Sequence, residues 1–253
     1  MAWHAIEGEE GCAYAVANNC VAVIVDALRA SATVAALLDA GATEIIVVRE
    51  VVDAFAARAL YPDALLFGER GGLHPEGFDY GNSPRTVAAA AGRRVVFTTT
   101  TGAGLLVAAW GSAAVCMGSV VNVAALVDYL SRHDRDVVLI PAGLAGDPGF
   151  DAQEDWAAAA AIAVQAQAEI EVGADRIGHW RKRIEAEGIE ALFASAPHAE
   201  KLRRVGLGDD ISFCARVDIF ETVPVAVARN EFGLIVQNGS STPCRGSCGS
   251  RQS

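Results

Sequence analysis

The sequence has no uninterrupted apolar stretch of the roughly 20 residues needed to cross a bilayer, because charge, Gly or Pro breaks every run. It is also short of positive charge, with 20 Lys and Arg against 31 Asp and Glu and a formal net charge of -11. Such a chain repels a phosphate backbone at long range, which argues against general nucleic-acid binding. A small anion is not excluded, since a local Arg cluster or a bound Mg²⁺ reverses the field inside a cleft. The six cysteines have no metal-like spacing. Cys12, Cys20, Cys116 and Cys214 are scattered and read as buried free thiols, and only Cys244 and Cys248 lie close together. The opening MAWHAIEGEEG lacks the basic and apolar segments of a signal peptide, so a cytoplasmic protein is expected. Neither an internal repeat nor a Pro-, Gly- or Ser-rich linker divides the chain. One domain is expected over residues 1–242, with a flexible tail at 243–253.

What is present is apolar and periodic. Of the 253 residues 52% are hydrophobic, enough for one large core. Short β-branched runs alternate with Ala/Leu stretches of helical period, the pattern of repeated βα units. Strands are expected at about 21–25, 44–48, 64–67, 94–98, 113–117 and 136–140. Helices are expected in SATVAALLDAG (31–41) and SPRTVAAAAG (83–92), each with a Ser cap, and in one long run from Gln153 to Ile170. Residues 175–206 read as further helix, a place for a cap or lid. The segment TVPVAVARNEFGLIVQ reads as a closing hairpin that makes the sheet mixed. The fold class is therefore α/β, a three-layer α/β/α arrangement with a mixed, mainly parallel sheet.

Open α/β sheets bind ligands beyond the carboxyl ends of their strands, and here those positions are polar. After the first strand come Asp26, Arg29 and Ser31, a carboxylate, a guanidinium and a hydroxyl in one loop. They suit Mg²⁺ and a phosphate oxygen; a plain ion pair with a Ser helix cap explains them as well. After the third come Glu69 and Arg70 in a Gly-rich turn, then Asp79, Asn82 and Ser83. A surface loop explains the glycines but not the acids. After the fourth, Thr100 and Thr101 lie at a turn where hydroxyls and amides face an oxyanion. After the sixth, Glu154 and Asp155 open the long helix, where acids also serve as ordinary dipole stabilisers.

DALRASAT, GER, GFDYGNSP, TTTTGA, GSVVN and IPAG followed by EDWAAAA occur in this order between Val21 and about Ala161. Together they resemble the 2-phosphosulfolactate phosphatase family, Mg²⁺-dependent enzymes best known from coenzyme M biosynthesis. The resemblance implies hydrolysis of (2R)-O-phospho-3-sulfolactate, or a related phosphorylated hydroxy acid, to 3-sulfolactate and phosphate. On this reading Asp26, Arg29 and Glu69 are catalytic, while Ser31, Asn82, Ser83, Thr100, Thr101 and Arg70 bind substrate. Asp26, Glu69, Asp79 and Glu154 are the expected Mg²⁺ ligands, with Arg85 a further cation beside the motifs. The family pattern differs at Ala27, Ala32, Thr101 and Ala103, and the last two changes bear on the remote end of the substrate. The expected partner is a small anionic phosphoester, with no nucleic acid and no membrane; a homodimer is left open. Two rivals are a phosphatase of the haloacid dehalogenase type and a non-catalytic binder of anionic metabolites. The first needs a second Asp two residues after Asp26, where Leu28 stands.

Overall fold

The computed structural model describes residues 1–144, 146–147 and 149–241. The tail expected at 243–253, with Cys244 and Cys248, lies outside the described residues. In chain order the elements are β1 (Trp3–Ala5), α1 (Gly8–Ala17), β2 (Val21–Val25), α2 (Ala30–Asp39), β3 (Glu44–Val48), α3 (Val51–Leu60) and β4 (Leu65–Gly68). Then follow β5 (Arg94–Thr98), α4 (Gly102–Ala108), β6 (Ala114–Met117), α5 (Val123–Leu130), β7 (Val137–Pro141), α6 (Gln153–Gln165) and β8 (Ile170–Val172). The chain ends in α7 (Ala174–Glu187), α8 (Ile189–Ser195), α9 (Pro197–Arg204), α10 (Asp209–Cys214), β9 (Pro224–Arg229) and β10 (Gly233–Asn238).

The strands form one sheet in the order β4-β5-β3-β10-β9-β6-β2-β7-β1-β8. Pairings are parallel except those made by β9 and β10. The expected hairpin therefore makes the sheet mixed from its centre, where β10 runs antiparallel to β3 and β9 antiparallel to β6. Its turn is closed by Asn230, whose Oδ1 accepts the Phe232 and Gly233 amides at 3.0 and 2.9 Å.

Alternation along the strands sorts side chains into layers. In β2, Val21, Val23 and Val25 pack with Trp156 and the alanines of α6, whereas Ala22 and Ile24 pack with Cys12 of α1 and Leu105 of α4. Because both faces are covered, an interior strand must be apolar at every position. In β3, Ile46 and Val48 meet Ala54 and Ala57 of α3 while Ile45 and Val47 face α4. Among the described residues no helix is long and apolar enough to cross a membrane. Cys12, Cys20, Cys116 and Cys214 are buried and free, as expected. Burial lifts the Cys12 and Cys116 thiols to about 12, which removes the reactive thiolate at neutral pH.

Three expectations change. Residues 83–92 form no α-helix, only a 3₁₀ turn at Ala88–Ala90. Its supposed cap, Ser83, gives its hydroxyl to Asp210 at 2.8 Å. The long helix stops at Gln165, Gln167 turns with φ 51°, and Ile170–Val172 becomes edge strand β8 beside β1. Strands β1 and β8, with three residues each, carry no run long enough to read.

Candidate active site

The loop after β2 must supply an acceptor for the first free amides of α2. Ser31 does not do this: its Oγ donates to the Ile24 carbonyl at 3.2 Å and accepts the Asp26 amide at 3.1 Å. The Asp26 carboxylate takes over, with Oδ1 accepting the Ala30 N–H and Oδ2 the Gly102 N–H, both at 3.1 Å. Two more acids repeat the pattern. Glu69 accepts the Gly72 and Thr100 amides at 2.8 and 2.7 Å, and Asp155 accepts those of Ala27 and Gly143 at 2.8 and 3.0 Å. Each carboxylate thus joins two loops, and the three together tie the segments after β2, β4, β5 and β7.

All three line one cleft of about 110 Å³, with Leu28, Arg29, Asn82, Thr100, Thr101 and Gly143. A carboxylate has about four lone-pair sites, so two amide bonds leave each acid further acceptor capacity. Burial raises the Asp26 carboxyl above its usual range; the Ala30 amide and His198 pull it down, while Glu69 and Glu154 push it up. Asp155 is raised well above that range by burial, then by Glu154 and Asp26. Three carboxyls thus share one small cleft with Arg29, His198 and Lys201. Two polar atoms beside it, Glu154 Oε2 and Asn82 Oδ1, are buried with no hydrogen-bond partner.

Positive charge enters from two sides. Arg29, only 2% exposed, donates from Nη1 to Asp210 Oδ2 at 2.6 Å and from Nη2 to the Gly72 carbonyl at 3.0 Å. From α9 come His198, Lys201 and Leu202, which line the same cleft. His198 Nδ1 lies 3.4 Å from Glu154 Oε1.

Comparison with known proteins gives the family. Residues 9–229 match the family described as 2-phosphosulpholactate phosphatase. The chain belongs to that family. Relatives named "probable 2-phosphosulfolactate phosphatase" include one from Deinococcus radiodurans, 38% identical over 82% of this chain and 88% of the relative. Another, from Carboxydothermus hydrogenoformans, is 32% identical over 82% and 87%, and a third, from Gloeobacter violaceus, 35% over 85% and 91%. The chain is accordingly a phosphatase, a hydrolase of phosphoric monoesters.

Within this 2-phosphosulpholactate phosphatase fold, Asp26, Arg29, Glu69, Asn82, Thr100 and Thr101 are brought together in the lining of the cleft. Asp79 does not. Its carboxylate accepts Arg58 at 2.9 and 3.2 Å and the Leu66 amide at 2.8 Å, so it braces β4 instead. Ser31 lies beneath the loop, Ser83 serves Asp210, and Arg85 pairs with exposed Asp209 at 2.9 Å. Arg70 donates to the Glu69 and Arg49 carbonyls and to Thr98, and borders a wider neighbouring recess of about 620 Å³. Glu154 sits behind His198, 1% exposed. Asp155 was read only as a helix-end acid, and Asp210, His198 and Lys201 carry no sequence signal of a shared site. The haloacid dehalogenase pattern gains nothing, because Leu28 is an apolar, buried wall of the cleft.

Two substitutions probe this geometry. A Cβ at Gly102 would lie 2.5 Å from Asp26 Oδ2 and 3.0 Å from Ala30 Cβ, so Gly102→Ala must displace the carboxylate. A fall in kcat/KM of at least about tenfold is expected, the size of a small misplacement of a reacting group; steady-state kinetics at wild-type levels would contradict it. Arg29→Lys keeps the charge but loses the planar fork that reaches Asp210 and Gly72 together. A lowered melting temperature and weaker substrate binding are expected, measured by thermal unfolding and KM. An unchanged melting temperature would show that the buried pair does not anchor α10.

Proposed function

We propose that the protein hydrolyses (2R)-O-phospho-3-sulfolactate, or a closely related phosphorylated hydroxy acid, to the hydroxy acid and phosphate, with Mg²⁺ as cofactor. The observation that carries this reading is the convergence of Asp26, Glu69 and Asp155 on one small cleft at the strand ends. The names of the relatives support the substrate class.

Among the described residues, no three His, Cys, Asp or Glu side chains converge closely enough to form a metal cage by themselves. That still suits Mg²⁺, which usually takes one or two carboxylates, several waters and the substrate's phosphate oxygens. The donor set is hard oxygen throughout, and Glu154 Oε2, beside the cleft, is buried with no partner. Asp26, with Glu69 or Asp155 as the second carboxylate, would hold the ion. When bound, Mg²⁺ would supply charge neutralisation and polarisation of the phosphoryl oxygens.

The chain's own groups account for the rest of the site. Loop amides fix each carboxylate from two directions, so little reorganisation is needed when charge develops. Arg29 has further N–H donors beyond the two in use and lines the cleft, where they suit phosphate oxygens. In the net reaction water adds across the P–O bond, and the departing hydroxy-acid oxygen takes a proton.

The test is phosphate release from a panel of phosphorylated metabolites by purified protein with Mg²⁺. The highest kcat/KM is expected for phosphosulfolactate or a phosphorylated hydroxy acid of similar size. Release from none of the panel would sink the reading.

A further inference from the structure

A substrate of this class carries a second acid group beyond its phosphate, and an acidic cleft must meet that group with a cation. Resting on the reading of the cleft as a phosphoester site, we propose that Lys201 of α9 binds this distal sulfonate or carboxylate and thereby selects phosphorylated hydroxy acids over simple phosphomonoesters.

The first observation is position. Asp26, Glu69 and Thr100 come from the strand ends, while His198, Lys201 and Leu202 reach the same cleft from α9. Positions 198, 201 and 202 share one helix face, since residues three and four apart are neighbours. A cleft this small brings a ligand held at Asp26 against that face.

The second observation is charge. In a chain with eleven more acids than bases, a cation readily finds a carboxylate. Among the described residues Lys201 pairs with none; its ammonium lies 4.5 Å from the centroid of the Phe150 ring. Arg94, Arg176 and Arg183 also lie over aromatic rings and are bonded to acids as well, Glu44, Glu7 and Glu187; Arg216, over Phe213, has no acid partner among the described residues either, but it does not line the cleft, whereas Lys201 does. The nearest acid on the helix of Lys201, Glu200, is taken by Arg203 and Arg204. Phe150 also meets the His198 ring edge-on, with centroids 6.3 Å apart, so one aromatic supports both side chains. An aromatic face orients a cation without neutralising it, which leaves the charge available to an anion.

The experiment compares wild type, Lys201→Met and Lys201→Arg. Lys201 is solvent-exposed, and Met keeps an apolar stem against Phe150, so folding is not the variable. Calorimetry with 3-sulfolactate should show binding weakened about thirtyfold by Lys201→Met, the scale of one charge-assisted hydrogen bond, and largely restored by Lys201→Arg. In kinetics, the ratio of kcat/KM for phosphosulfolactate to that for phenyl phosphate should fall by a similar factor, through KM more than kcat. Equal affinity for 3-sulfolactate in wild type and Lys201→Met would overturn the assignment, as would equal losses on both esters or no binding by wild type. A wild type that binds 3-sulfolactate but hydrolyses no ester would defeat the proposed function alone, and the calorimetric comparison would still decide the role of Lys201.

Discussion

Asp26→Asn is expected to lower kcat by at least about a hundredfold, equivalent to about 2.7 kcal/mol of barrier. Asp26 lines the cleft, and both its oxygens are fixed by amides from separate loops. Asn keeps the shape but turns an NH₂ toward the N–H of Ala30 or Gly102, and it removes the charge. The first effect leaves a buried donor unpaired and costs about 1–3 kcal/mol of stability. The second acts on metal binding and on phosphorus chemistry. The two separate experimentally: if Asp26 only ties two loops together, the melting temperature falls while kcat of the folded fraction stays. Circular dichroism and steady-state kinetics on the same preparation distinguish these outcomes, and a folded variant with near wild-type turnover would take this loop out of the chemistry.

Removal of divalent metal is expected to abolish turnover, with recovery on adding Mg²⁺. Asp26, Glu69 and Asp155 line the same small cleft, so a multiply charged phosphoester there meets repulsion from any of them that is ionised unless a cation intervenes. Arg29 cannot provide all of that charge, because its guanidinium is already bonded to Asp210. Dialysis against EDTA followed by Mg²⁺ titration measures the effect. Full activity in metal-free protein would show that Arg29 and the cations of α9 suffice.

The interior strands were legible because burial on both faces forces apolar residues at every position. For that reason β2, β3 and β5 begin and end where their runs do. Edge strands β1 and β8 are too short to leave such a trace. The segment 83–92 misleads because its signals are local, Ser followed by Pro, whereas the partner that takes the Ser83 hydroxyl is Asp210, 127 residues away in sequence. The site divides in the same way. Asp26, Glu69 and Thr100 follow strands directly, so strand assignment already puts them at the sheet's carboxyl edge. Asp79 follows the same turn but is captured by Arg58 from α3, a tertiary pairing no spacing announces. Asp155 belongs to a helix end, where acids are ordinary. Lys201 and His198 come from a region whose helical character was readable but whose packing over the cleft was not.

The most direct measurement is phosphate release from (2R)-O-phospho-3-sulfolactate in Mg²⁺, with wild type and Asp26→Asn assayed side by side. The cleft described here predicts saturable turnover by wild type and at least a hundredfold less by the folded variant, on the order of 2.7 kcal/mol. No release by wild type, or equal release by both proteins, would contradict it.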